Sequence, residues 1–66
     1  MKNRLRVLRA ERNLTQEELA KMSGLSRATV ISIENEAVNP NGDTIAKLTK
    51  ALRVKPEEIF FELNVV

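Results

Sequence analysis

The sequence predicts an all-α fold, a compact bundle of five helices. Apolar residues recur at i, i+3 and i+4 along almost the whole chain. Helix-start signals stand at Thr15-Gln16-Glu17-Glu18, at Ser26, around Asn41 and at Pro56. The breaks between them are short, and there is no repeat, low-complexity tract or long linker. With 66 residues the chain fits one small domain, 1–66. A chain of this length buries only about 60% of its unfolded surface. It has no cysteine to staple it, so packing must suffice, helped by a partner chain.

The first helix spans roughly 3–12, with Leu5 and Leu8 as i, i+3 partners. Asn13 ends it, because Asn tolerates the left-handed conformation. Thr15 and Glu18 then form a capping box, in which each side chain accepts from the other's backbone N–H. Leu14 is placed to staple onto Leu19. The second helix covers about 16–23 and stops at Gly24. Ser26 caps a third helix, about 27–35, so close behind that the pair has the spacing of a helix-turn-helix. Val30 and Ile33 define its buried face. Arg27, Ala28, Ile31, Ser32 and Asn35 fall on the other side.

Residues 35–41 form a loop, since Pro40 turns Asn39 away from helix. Asn41 or Asp43 caps a fourth helix carrying Ile45, Leu48, Ala51 and Leu52. Pro56, followed by Glu57 and Glu58, opens a short fifth helix that points Ile59 and Phe60 inward. The tail from Phe61 to Val65 alternates apolar and polar residues. It reads as a short strand that pairs with residues 1–3 or with another subunit's tail, or else frays.

Composition narrows the function. Histidine and cysteine are both absent, which removes the most versatile acid–base group and the usual transition-metal ligands. A chain this small has little room for a pocket of about 300 Å³ or more. No enzyme, cofactor or metal site is expected, and no small-molecule ligand. The net charge is only +2, but it is polarised. Residues 1–12 hold Lys2, Arg4, Arg6, Arg9 and Arg12 against Glu11, and residues 57–66 hold Glu57, Glu58 and Glu62 with no base. One surface is thus suited to a polyanion. No signal peptide or membrane span is evident, so a cytoplasmic protein is expected.

The stretch LTQEELAKMSGLSRATVISIEN, residues 14–35, resembles the helix-turn-helix core of the Cro/CI-repressor family, also called the xenobiotic-response-element type. Thr15-Gln16, Leu19-Ala20, Gly24, Ser26 and the group Val30, Ile33, Glu34 and Asn35 carry the likeness. The flanking RLRVLR and LTKALRVKPEEIF extend it. The resemblance implies a lambda-repressor-like five-helix domain whose third helix enters the major groove of double-stranded DNA. Ser26, Arg27, Ala28, Ile31 and Ser32 would then face base edges. Arg27 is the expected guanine reader, because a guanidinium can donate to both O6 and N7. Ala28 offers a methyl to a thymine methyl. Many relatives carry Gln near these positions, which implies a different site here.

The same resemblance places Thr15, Gln16, Asn35, Asn39 and Asn41 on the phosphate backbone, where contacts position without reading. Lys2, Arg4 and Arg6 would add salt-sensitive attraction. Arg9 and Glu34 match positions that often form an ion pair between the first and third helices, a structural role. Ile31 has two readings, as filler of the seam against the second helix or as a thymine-methyl contact. Glu36 stands where relatives commonly have glycine, so either Asn35 adopts the left-handed conformation or the helix runs longer. Lys55 replaces a Ser or Thr cap, so the fifth helix should be less firmly capped.

The expected function is a transcriptional regulator, a repressor acting as a homodimer on a palindromic operator. Phe61, Leu63, Val65 and Val66 are the expected dimer interface, while Phe60 belongs to the core. The alternative is a protein-interaction module, an antitoxin or anti-repressor subunit that uses the same scaffold. The lack of acidic residues at 26–33 favours DNA.

Overall fold

Five helices, α1 (Leu5–Glu11), α2 (Gln16–Ser23), α3 (Arg27–Glu34), α4 (Gly42–Leu52) and α5 (Pro56–Ile59), make up the structure, a computed structural model that describes residues 1–61. The all-α prediction holds, and no strand occurs among the described residues. The expected tail strand, and with it Leu63, Val65 and Val66, lies outside them.

Each helix sends its apolar stripe to one core: Leu5 and Leu8, Leu19 and Ala20, Val30 and Ile33, Leu48 and Leu52, then Ile59 with the adjoining Phe60. Leu5, Leu19, Val30, Leu48, Ile59 and Phe60 are fully buried. Phe60 is core, as expected, and its neighbour Phe61 is 48% exposed.

The helix starts follow from local side-chain chemistry. Thr15 Oγ1 accepts from the Glu18 N–H at 3.0 Å, and Glu18 Oε1 accepts from the Thr15 N–H at 2.9 Å, which completes the capping box. Those bonds hold the Glu18 carboxyl below the usual range, the backbone donor of Thr15 first among them. Ser26 Oγ accepts from the Thr29 N–H at 3.1 Å, and Asn41 Oδ1 from the Thr44 N–H at 2.8 Å. Asn41, not Asp43, is therefore the cap of α4. Asp43 instead pairs with Lys47 at 3.1 Å, one turn on. Lys55 supplies no side-chain cap to α5. Only the Glu58 carboxylate, accepting from the Lys55 N–H, secures that end.

The chain departs from prediction at the start of α1 and at the end of α3. The first helix begins at Leu5 instead of residue 3, because residues 3 and 4 are engaged elsewhere. Asn3 Oδ1 accepts from the Leu5 N–H at 3.0 Å, and the Arg4 N–H donates to the Ile59 carbonyl at 2.8 Å. The third helix ends through Glu36 itself, which adopts φ 59° while Asn35 stays at φ −82°. Neither expected alternative, a left-handed Asn35 or a longer helix, is realised.

The reason is a shared closing motif. After α1, α2, α3 and α4 a left-handed residue follows: Asn13 at φ 55°, Gly24 at 74°, Glu36 at 59° and Arg53 at 57°. Each is succeeded by a residue whose N–H donates five positions back, namely Leu14 to Arg9, Leu25 to Ala20, Ala37 to Ser32 and Val54 to Thr49. This is the Schellman closure, which satisfies end carbonyls. Leu14, Leu25 and Val54 also pack against the core. Ala37 is exposed, and at α3 that missing apolar contact is replaced by Asn3, whose Nδ2 donates to the Ile33 carbonyl at 2.8 Å.

A left-handed L-residue costs about 1–2 kcal/mol, part of which glycine would forfeit through its looser unfolded chain. Glu36→Gly should therefore raise stability by about 0.5–1 kcal/mol, read as a higher urea midpoint. A lower midpoint would mean that the Glu36 side chain contributes something its exposure does not reveal.

Candidate nucleic-acid interface

The third helix buries one side and presents the other. Val30, Ile33 and Glu34 face inward, Arg27, Ala28 and Asn35 are exposed, and Ile31 and Ser32 are half-buried. At 3.6 residues per turn the outward residues form two stripes, Arg27 with Ile31 and Ala28 with Ser32. No acidic side chain lies on either stripe. The one carboxylate of α3, Glu34, is fully buried. Ser26 stands at the exposed start of the helix, but its oxygen is engaged with Thr29, whose hydroxyl it also meets at 2.8 Å. Ile31 is not among the partly buried hydrophobics that pack on the core.

Each stripe borders a cleft of different character. Beside Arg27 lies a polar one, lined by Arg9, Thr15, Gln16 and Glu17 with Arg27 itself. It adjoins the first turn of α2, where helix N–H groups lack intrahelical partners and the helix dipole is positive. Beside Ala28 and Ser32 lies a cleft closed on its far side by Val38 and Pro40 of the 36–41 loop.

The polar cleft is held in shape by Glu34. Its carboxylate takes Arg9 Nε at 2.8 Å on one oxygen and Arg9 Nη2 at 3.3 Å on the other, a forked pair. Arg9 spends its remaining nitrogen on the Leu14 carbonyl at 2.7 Å. Gln16 Nε2 donates to the same carboxylate at 3.1 Å and Arg6 Nε at 3.4 Å. Burial pushes the Glu34 carboxyl upward, but the hydrogen bonds from Arg9 and Gln16, the Arg9 charge and Arg6 outweigh it and hold the group below the usual carboxylate range. Three helices thus meet on one ionised oxygen pair. Arg6 is 64% exposed, so its share is small.

Of the residues expected on the phosphate backbone, the three asparagines have their acceptor oxygens already engaged. Asn35 Oδ1 accepts from Arg6 Nη2 at 3.4 Å, Asn39 Oδ1 from the Met1 amino group at 2.8 Å, and Asn41 Oδ1 from Thr44. Each keeps its carboxamide nitrogen, a donor, which is what a phosphate requires. Gln16 differs, because its nitrogen is given to Glu34 and its oxygen is left over. Its contribution to an anion would come from its backbone N–H. Sequence reasoning had no signal for the roles of Asn3, Arg6 and Gln16 as partners of α3, since those contacts span 30, 28 and 18 positions.

Residues 5–59 match the family model described as helix-turn-helix. Among curated proteins, an uncharacterized HTH-type transcriptional regulator of Methanocaldococcus jannaschii is 48% identical over 60 residues, 91% of either chain. Among solved structures, the restriction-modification controller protein C.AhdI from Aeromonas hydrophila is similar at 44% identity and a TM-score of 0.79, covering 83% of each chain. The P22 c2 repressor in complex with a synthetic operator is similar at 33% identity and a TM-score of 0.77, covering 82% of each. No helix among the described residues is long and apolar enough to cross a membrane.

Proposed function

The chain belongs to the Cro/CI-type helix-turn-helix family of DNA-binding transcriptional regulators, and from that membership we propose that it is a repressor which binds a palindromic operator as a homodimer, with α3 in the major groove. The observation that carries this reading is the outward face of α3. It is capped, free of acid, and bordered by a polar cleft at the first turn of α2. Arg27 offers two donors to a guanine edge, and Ala28, Ile31 and Ser32 supply small apolar and hydroxyl contacts. Ser26 sits at the entry of the helix and adds little base contact, since its oxygen caps. Thr15, Gln16, Asn35, Asn39 and Asn41 position the backbone. The protein acts by binding, without catalysis or cofactor.

Dimer formation supplies specificity that one short helix lacks. Two copies read two half-sites about 34 Å apart, which multiplies discrimination. The exposed Phe61 supports an apolar contact between copies near the end of α5. Selecting bound sequences from a random duplex pool tests both points. An inverted repeat with half-site centres about one helical turn apart is the expected result. Enrichment of single half-sites would refute the dimer, and no enrichment at all would refute sequence reading. Affinity for random duplex should also fall steeply with added salt as phosphate contacts release counterions.

Ile31 belongs to the reading face on this account. Ile31→Ser is expected to cost about 1 kcal/mol of stability or less, because the side chain is half-exposed and outside the core contacts. Its main effect should be a changed preference at one base pair. A large drop in the thermal midpoint with an unchanged site would return Ile31 to the seam.

A further inference from the structure

The second cleft beside α3 is uncharged, with an apolar wall. It lies between Ala28, Thr29 and Ser32 on the helix and Val38 and Pro40 on the loop, with Asn39, Asn41 and Thr44 at its polar rim, and holds about 360 Å³. None of the described residues that line it is charged. Its counterpart across the helix carries two arginines and Glu17. Val38 is 44% exposed although it is apolar, and its loop neighbours Glu36, Asn39 and Asn41 are polar. It is not among the residues that pack on the core.

Val38 is also held in place. On one side Glu36 turns left-handed and the Ala37 N–H locks onto the Ser32 carbonyl at 2.9 Å. On the other, Asn39 is bonded to Met1, Pro40 has a fixed φ, and Asn41 caps α4. The β-branched side chain has little rotamer freedom left to lose. A preorganised apolar contact of this kind loses little entropy on binding.

We infer that Val38 reads DNA directly, closing with Ala28 around the 5-methyl group of a thymine at the edge of each half-site. The methyl is the one apolar feature of base edges in the major groove, and an uncharged cleft beside the reading stripe fits it. The inference rests on α3 being the recognition helix. It assigns base reading to a loop that would otherwise only touch phosphate.

The test uses the full chain and the operator obtained by selection. Each thymine of a half-site is replaced in turn by uracil, which removes only the methyl, and binding is measured for the unaltered protein and for Val38→Ala. At one thymine the substitution should weaken the unaltered protein about 3- to 10-fold, in line with one buried methyl, and should have no effect on Val38→Ala. Val38 is exposed, so the variant should keep its unfolding midpoint. Uniform weakening of Val38→Ala on every duplex, with all uracil effects retained, would indicate a sugar contact and overturn the inference. Unchanged binding by Val38→Ala would overturn it as well. Both results leave the recognition-helix reading standing. Failure of that reading is distinguishable, as the absence of any selected operator, and takes this inference with it.

Discussion

Glu34→Ala is expected to cost about 3–5 kcal/mol of folding stability. The carboxylate is fully buried, and the Arg9 side chain is only 17% exposed. Deleting the acid leaves the Arg9 guanidinium partly desolvated, with the Leu14 carbonyl as its remaining described partner, and leaves Gln16 Nε2 without its acceptor. For a 66-residue chain, total stability is about 3–10 kcal/mol, so the variant should be largely unfolded at ambient temperature or melt far below the parent. Thermal unfolding by circular dichroism decides it. A small shift, under about 1 kcal/mol, would mean that the network relaxes around the loss.

The same group predicts the acid response. Glu34 is held below the usual carboxylate range in the folded protein. Its contribution is therefore fully present above the ordinary carboxylate value and is lost as pH falls through the depressed one. Glu18 acts in the same direction. Urea midpoints measured from neutral to acid pH should decline for the parent. They should decline less for Glu34→Gln, and less again when Glu18→Gln is added.

Arg27→Ala is expected to weaken operator binding by about 1–3 kcal/mol and to relax preference at a single base pair of the half-site. Arg27 opens α3 and borders the polar cleft, so two roles compete for it. A guanine reader and a phosphate ligand lose different things. Loss of the reader leaves binding to random duplex nearly unchanged. Loss of a phosphate contact weakens all sequences alike and lowers the salt slope by about one. Folding is not at stake, because the side chain is exposed. Equal weakening on all duplexes would move Arg27 to the backbone and leave Ala28, Ile31 and Ser32 to carry recognition.

What could be read from the sequence was the chemistry confined to one turn of chain. Thr15 with Glu18, Ser26 with Thr29, and Asn41 with Thr44 are neighbours three positions apart, so cap and partner are visible together. The stripe Val30 and Ile33 was legible from its spacing, and the pairing of Arg9 with Glu34 only from family resemblance. The rest needed tertiary proximity. Nothing near Asn3 indicates that it bonds the Ile33 carbonyl, and nothing near Gln16 indicates that Glu34 takes its nitrogen. Local preference favours a left-handed Asn35 or a longer third helix, because Glu36 tolerates that conformation less well. Local preference is worth only about 1–2 kcal/mol, and it yields when the closing bonds of Ser32 and Ile33 require the turn one residue later. The residues proposed to read bases lie on the outward side of α3, but whether a side chain such as Ile31 leans toward the core or toward solvent depends on what α2 places beside it.

The bond from the Arg4 N–H to the Ile59 carbonyl, together with Asn3 on the end of α3, has a consequence for how the protein is made. A ribosome delivers residues 3 and 4 well before residue 59. Until α5 has emerged, the core lacks Ile59 and Phe60, and Arg4 lacks its acceptor. The helix-turn-helix is therefore expected to reach its full stability only after α5 has emerged. Completion of the core waits for α5 to reach the start of the chain. A chain truncated before residue 59 lacks two buried core residues and should show a much lower unfolding midpoint and weaker operator binding than the parent.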